Sequence, residues 1–232
     1  MNSTWLKRLG AASGVLYAVL TFVASGDTNS PGFQATPQEI TAWAKSVQLT
    51  PSFWIHPYVE VIGMLFFLVF TAYLWSILSR AEGEFGWLSA SAFASGIATV
   101  VIKIAAFPVA AAAVAGASQG FNPQVLGVLW DMNGISFFLT WATQAFLLAA
   151  AAIVIIRAKA LPGWLGWGAA VSALALLATL PLAFFNPIPI HLLALLWVVI
   201  ASILLIIHAG KPFPSLQSRA TQRTEVQPVG AE

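Results

Sequence analysis

Few residues of this sequence could do chemistry, and they lie beside or inside strongly apolar segments. Six side chains stand out: His56, Glu60, Lys103, Asp131, Asn133 and His191. The stretch WIHPYVEVIGMLFFLVF, residues 54–70, begins with the histidine and carboxylate at positions 56 and 60, which share a helix face because they are four positions apart. Imidazole, carboxylate, amine and amide groups can bind ligands, move protons or hold metals. We interpret the six as a candidate polar pocket.

Metal and haem chemistry are weak alternatives for this set. The stretch after His56 lacks the second histidine of an HExxH metalloprotease helix. Zinc could be assembled from His56, Asp131 and His191, and a haem could use the two histidines of that trio as axial ligands. Because isolated histidines near a membrane surface are usually polar anchors, we expect no metal and no cofactor.

The composition places these residues in a membrane protein. The 232-residue chain is 59% hydrophobic and 8% charged, and its mean hydropathy is +0.85, whereas about a quarter of the residues of a soluble domain are charged. It has no cysteine, which excludes disulfides and thiolate sites. The formal charge of +2 comes from scattered residues, so a nucleic-acid partner is not expected.

The apolar segments predict an all-α transmembrane bundle of about six spans. A span needs about 20 apolar residues, and such segments occur near 9–25, 57–79, 87–109, 134–156, 163–185 and 188–208. We treat residues 1–208 as one transmembrane domain. The first segment also resembles a signal peptide, but Gly10 and Gly14 form a GxxxG pattern suited to helix packing, so we interpret it as an uncleaved helix.

The basic residues predict the orientation. In a six-span arrangement nearly all of them fall on the side of both termini, and Lys45 alone falls in a loop on the other side. Since loops rich in lysine and arginine stay in the cytoplasm, both termini are expected to be cytoplasmic. The predicted location is the cell (plasma) membrane, with the lipid bilayer as the first partner.

The first outer loop, residues 26–56, is long and contains a predicted helix near 37–47. Thr36 is a candidate N-cap, Pro37 follows at the first helical position, and Glu39 stands at the capping-box position. Apolar residues then recur at helical spacing, which predicts an interfacial helix on the outer rim or a helix that packs within the loop. Residues 209–232 lack apolar periodicity and are predicted to be a disordered cytoplasmic tail.

Depth along the helices connects the candidate residues. At about 1.5 Å per residue, Lys103 lies ~24 Å beyond Trp87 and Glu60 lies ~30 Å beyond Arg80, so both belong to the outer half of the membrane. Their two segments form a hairpin that turns near Gly83, and an unpaired charge at that depth is costly. We therefore predict a Glu60–Lys103 ion pair, which either fixes helix register or lines a polar cavity.

Three segments resemble a known group of proteins. They are LGAASGVLYAVLTFVASGD, TPQEITAWAKS and LPGWLGWGAAVSALALLATLPL. The sequence is similar to a bacterial, especially actinobacterial, family of six-helix integral membrane proteins filed as a domain of unknown function. The resemblance covers most of residues 9–208 and implies the six-helix fold, but it implies no activity.

Three functional classes are compatible with these features. The first is an outward-facing protein that binds a small polar ligand or serves an accessory role with a membrane-protein partner. The second is a small-molecule transporter, which would need access from both faces and usually has broken helices near the midplane. The third is a membrane-embedded enzyme or metal-binding protein. We rank them in that order, so enzymatic chemistry is the least favoured of the three.

Overall fold

The described part of the chain is helical and contains no strand. A computed structural model describes residues 4–25, 30–32, 34–47, 51–83, 86–182 and 190–209. Seven α-helices lie in these ranges: α1 (Thr4–Ala24), α2 (Pro37–Val47), α3 (Pro51–Glu82), α4 (Trp87–Ser118), α5 (Pro123–Ala158), α6 (Gly163–Thr179) and α7 (His191–Ile207). A single 3₁₀ turn, Leu180–Leu182, follows α6.

Five of these helices are long and apolar enough to cross a membrane. They are α1, α3, α4, α5 and α6, the last taken together with the 3₁₀ turn that follows it. The chain is therefore a multi-pass membrane protein. The sixth predicted span corresponds to α7, a shorter apolar helix of 17 described residues, which is roughly 25 Å long at the usual helical rise.

The helices pack side by side in a ring. Going around it, α1 contacts α3, α3 contacts α4, α4 contacts α5, α5 contacts α6, α6 contacts α7, and α7 returns to α1. Helix α5 also contacts α2, α3 and α7 and is the most buried of the candidate spans. It therefore fills much of the interior, where Phe138, Trp141 and Leu148 are almost fully buried.

Small residues set the close approach between α1 and its neighbours. A Cβ added at Gly10 would lie 2.9 Å from the ring of Tyr73, and one at Gly14 would lie 2.8 Å from the ring of Phe70 and against Ser202. The GxxxG pattern of α1 therefore places α1 directly against both α3 and α7, in keeping with the role of small residues in membrane helix packing.

Two helices begin earlier than the apolar segments predict. Helix α3 starts at Pro51 rather than near 57, which shortens the predicted outer loop 26–56, and α5 starts at Pro123 rather than near 134. The start of α5 has a local cause: the Asn122 side chain accepts a hydrogen bond from the backbone N–H of Gln124 at 2.8 Å, and Pro123 follows the cap. Residues 210–232 of the predicted tail lie outside the described residues.

The two ends of the bundle are built differently. At one end, here called the Glu82 end, the carboxylate of Glu82 accepts hydrogen bonds from the backbone N–H groups of Leu88 (3.0 Å) and Ser89 (2.8 Å). It thereby caps the start of α4 across the turn that joins α3 to α4. At the other end, here called the α2 end, α2 covers the ends of α4 and α5.

Candidate functional site

Helix α2 begins with a complete capping box. The backbone N–H and the hydroxyl of Thr36 donate to the Glu39 carboxylate at 2.7 and 2.9 Å, and the Glu39 N–H donates back to the Thr36 hydroxyl at 3.3 Å. These hydrogen bonds from Thr36 lower the pKa of Glu39, because they favour its ionised form. The helix spans Pro37–Val47, the range that this pattern predicts.

The apolar face of α2 is covered by protein. Ile40 and Ala44 are each only 1% exposed, and Ala44 belongs to a small core cluster with buried residues of α4 and α5. Trp43 lies against Trp130 of α5 with ring centroids 4.5 Å apart. The indole N–H of Trp130 donates to the Pro31 carbonyl at 2.9 Å and ties down the chain before α2. Helix α2 is thus a cover on the bundle rather than a helix with its apolar face in lipid.

Beneath this cover lies a cavity of about 390 Å³, here called the α2 cavity. Its size is near the lower end of the range for small-molecule sites, about 300–1,000 Å³. The described lining residues come from the end of α1, the segment before α2, and helices α2 to α5: Ala24, Ser30, Trp43, Val47, Phe53, His56, Pro57, Glu60, Lys103, Phe107, Ala110, Trp130 and Asn133. The wall combines aromatic rings with a few polar groups, as is typical of ligand sites.

Helical periodicity explains why these residues face the same space. The lining positions are 53, 56, 57 and 60 on α3, 103, 107 and 110 on α4, and 130 and 133 on α5. Within each set the positions are spaced as i, i+3, i+4 or i+7, so each set forms one stripe along its helix. Glu60 is nine positions after the start of α3, which places it roughly 13 Å from that helix end. The charged residues therefore lie at the floor of the cavity.

Glu60 and Lys103 form an ion pair on this floor. The Lys103 Nζ lies 2.9 Å from Oε1 of Glu60, and the two side chains are 20% and 33% exposed for lysine and glutamate respectively. This is the pairing that the hairpin argument predicts. The same Nζ lies 5.2 Å from the ring centroid of Phe137, within cation–π range. Lys103 is thus held between a carboxylate and an aromatic face while part of the pair remains open to the cavity.

Two further polar side chains, those of His56 and Asn133, line the cavity. Neither His56 nor Asn133 makes a side-chain hydrogen bond to another residue in the described part of the chain. The imidazole of His56 is exposed, and Asn133 is half-buried. Both can therefore offer a donor or an acceptor to a bound molecule.

Of the six candidate residues, four line the cavity and two do not. Asp131 is exposed on α5 and is absent from the lining. Because it is two positions from Asn133, it lies on a different face of the same helix. The structure therefore does not bring Asp131 to the described lining of the cavity.

His191 lies against two aromatic rings, those of Phe137 and Trp141, and is not among the described lining residues of the cavity. Its ring centroid is 5.5 Å from that of Phe137 and 5.6 Å from that of Trp141, on which it stacks. It belongs to α7, which packs between α6 and α1 and also contacts α5. His191 therefore contributes to an aromatic cluster with Phe137 and Trp141, and the structure does not place it among the described lining residues of the cavity.

The separation of these residues also bears on metal binding. Among the described residues, no group of three histidine, aspartate or glutamate side chains is arranged to hold a metal ion. The structure therefore does not bring His56, Asp131 and His191 together as a shared ligand set.

Sequence reasoning missed the aromatic part of the site. Phe53, Phe107 and Trp130 line the cavity, Trp54 packs edge-on against Phe107 at 5.4 Å, and Phe137 lies beneath Lys103. The spacing of two of these residues does indicate the cavity face. Phe53 lies seven positions before Glu60, and Phe107 lies four positions after Lys103, so each phenylalanine shares a helix face with the charged residue. In so apolar a chain, however, such rings could equally face lipid.

A search against protein-family models, curated proteins and solved structures finds no match to this chain. The resemblance to a six-helix family of unknown function therefore stays a prediction.

Proposed function

We propose that this protein is an outward-facing binding protein of the cell membrane that holds a small ligand in the α2 cavity. In this proposal all six membrane helices, including α7, span the bilayer, and both termini are cytoplasmic. The α2 end then faces the outside, because basic residues concentrate at the Glu82 end and the termini. A reporter fused at Gly120 should be exported, and one fused after His208 should stay in the cytoplasm.

The observation that carries the proposal is a partly exposed ion pair at the floor of a cavity. A purely structural ion pair in a membrane protein needs no open space beside it, whereas ionisable groups that border a water-filled cavity commonly mark a ligand or ion pathway. Here the Glu60–Lys103 pair instead borders about 390 Å³ of space, beside two polar side chains that have no hydrogen-bond partner among the described residues. This arrangement favours a ligand that completes the polar contacts.

The packing beneath the floor favours binding over transport. Phe137 lies directly under Lys103, and Phe138 and Trp141 behind it are 2% exposed each. Helix α4 continues through Pro108 without a break. A carrier would need a second arrangement in which these aromatic residues move apart, so transport ranks second. An accessory role with a membrane-protein partner is compatible with the same ligand site.

A binding screen with cavity-filling variants tests the proposal. Purified protein in lipid nanodiscs would be screened by thermal unfolding and tryptophan fluorescence against amino acids, amines, carboxylates and neutral aromatic molecules. Ala110 lines the cavity, whereas Ala112 on the same helix is exposed on another face. We expect at least one compound to stabilise the wild type and Ala112→Phe but not Ala110→Phe. No stabilising compound, or equal stabilisation of both variants, would contradict the proposal.

A further inference from the structure

We propose that the α2 cavity selects a compact zwitterion, a molecule that carries an ammonium group, a carboxylate and a small apolar body. This inference rests on the proposed ligand-binding function and adds the chemical class of the ligand. It follows from three properties of the cavity: the arrangement of its charges, the aromatic wall above them and the polar groups of His56 and Asn133 beside them.

The charges of the floor disfavour a ligand with one charge. Glu60 and Lys103 are the only residues with a fixed charge among the described lining residues, and their charged atoms are 2.9 Å apart. A lone cation attracted by Glu60 is repelled by Lys103 at nearly the same distance, and a lone anion attracted by Lys103 is repelled by Glu60. Either ligand would also bring an uncompensated charge into a poorly solvated site. A ligand with a single charge therefore gains little binding free energy at the floor.

A zwitterion avoids this cancellation. Its ammonium can approach the Glu60 carboxylate while its carboxylate approaches the Lys103 ammonium, so that the two dipoles lie antiparallel. Both interactions are charge-assisted hydrogen bonds, which are stronger than neutral ones. The partial exposure of both side chains leaves room for these contacts without breaking the existing pair. The floor thus complements both charges of the ligand at once.

The wall above the floor supplies a place for an apolar body. Trp43 and Trp130 meet under α2, and Phe107 lies on the face of α4 that also carries Lys103. Aromatic faces attract ammonium groups as well as apolar groups. His56 and Asn133 add hydrogen-bonding groups that the described residues do not use. A compact zwitterion would therefore contact both the charged floor and the apolar wall.

A matched set of four probes with the same aromatic body tests the charge preference. They are L-phenylalanine, which is a zwitterion, phenethylamine, which is a cation, hydrocinnamate, which is an anion, and neutral phenethyl alcohol. Binding to wild-type protein in nanodiscs would be measured by isothermal titration calorimetry at low salt. We expect L-phenylalanine to bind at least about tenfold more tightly than each of the other three, because only it gains two charge-assisted contacts.

A neutral floor provides the control variant. Glu60→Gln/Lys103→Met removes both charges with little change in volume and strands neither partner. In this variant the affinity for L-phenylalanine should fall about tenfold, while that for phenethyl alcohol should change less than about threefold. Preferential binding of the alcohol or of a singly charged probe would overturn the zwitterion inference and leave the binding function intact. Binding of none of the four would overturn the inference as well, and the broader screen with Ala110→Phe would then decide the binding function separately.

Discussion

Glu60 and Glu82 lie on the same helix, α3, but the two ends of the bundle use these carboxylates differently. Glu82 accepts hydrogen bonds from two backbone N–H groups and from the Ser89 hydroxyl, and thereby caps α4. Among the described residues, Glu60 has one charged partner, Lys103, and it borders the α2 cavity. One carboxylate completes the structure of a turn, whereas the other keeps capacity for further contacts.

The difference shows how a structural carboxylate can be told from a candidate binding group. A helix N-terminus supplies several backbone donors that have no partner within the helix, so a carboxylate placed there serves the fold. The floor of the α2 cavity supplies one ammonium group, an aromatic ring and open space. Variants at the two ends should therefore separate stability from binding.

The largest effect is expected when one charge of the ion pair is removed. Lys103→Met leaves the Glu60 carboxylate without its charged partner in a poorly solvated site, so we expect a loss of about 1–3 kcal/mol of stability. This is less than the loss of about 3–5 kcal/mol expected for a fully buried pair, because both side chains are partly exposed. Adding Glu60→Gln should restore part of the loss. Reversible unfolding of the two single variants and the double variant in detergent measures this coupling. Strictly additive losses would show that the two side chains do not interact.

At the Glu82 end, the expected effect is on stability alone. Glu82→Ala removes the acceptor for the backbone N–H groups of Leu88 and Ser89, and loss of a helix cap costs about 0.5–2 kcal/mol. The melting temperature should fall while the affinity for any probe that binds the α2 cavity stays within about twofold of wild type. A clear loss of probe binding in Glu82→Ala would show that Glu82 supports binding as well as stability, so the two carboxylates would not differ in role.

The smallest effect is expected at the cover of the cavity and depends on pH. Hydrogen bonds from Thr36 lower the pKa of Glu39. The stabilising contribution of its carboxylate is therefore complete above the usual glutamate pKa, about 4.3, and is lost as the pH falls through the lower folded-state value. Hydrogen exchange of residues 37–47 should accelerate beyond the intrinsic pH trend across that acidic range in the wild type. In Glu39→Gln this extra acceleration should be absent. The same acceleration in that variant would show that another group, not Glu39, causes it.

Much of the fold could be predicted from local patterns because each pattern has a local cause. The Thr36 and Glu39 spacing specifies α2, and the apolar segments specify the long helices. The Glu60–Lys103 pair could be predicted because a short hairpin fixes the relative depth of two helices. These inferences need no knowledge of how the helices rotate in the bundle.

Helix order and rotation limited the prediction of the site. The sequence groups Asp131 and His191 with the other polar residues, but Asp131 lies on another face of α5 and His191 packs against Phe137 and Trp141, outside the described lining of the cavity. The face of α5 that turns inward is decided by its packing against α2, α3, α4, α6 and α7 together. The aromatic lining could not be predicted for the same reason. The sequence around a phenylalanine in an apolar helix does not show whether its ring faces lipid, the core or a cavity.

In the proposed orientation, Asn133 faces a water-accessible cavity that is open to the outside. The chain has no cysteine, so single cysteines can be labelled without background. Asn133→Cys would place a thiol in the cavity, and Ile135→Cys would place one at nearly the same depth on an exposed apolar face of α5. A charged, membrane-impermeant methanethiosulfonate reagent added outside intact cells should modify the thiol at 133 at least about tenfold faster, because the reaction requires the thiolate and access from water. Equal rates at the two positions, or reaction at position 133 only from the cytoplasmic side, would show that the α2 cavity is not open to the outside.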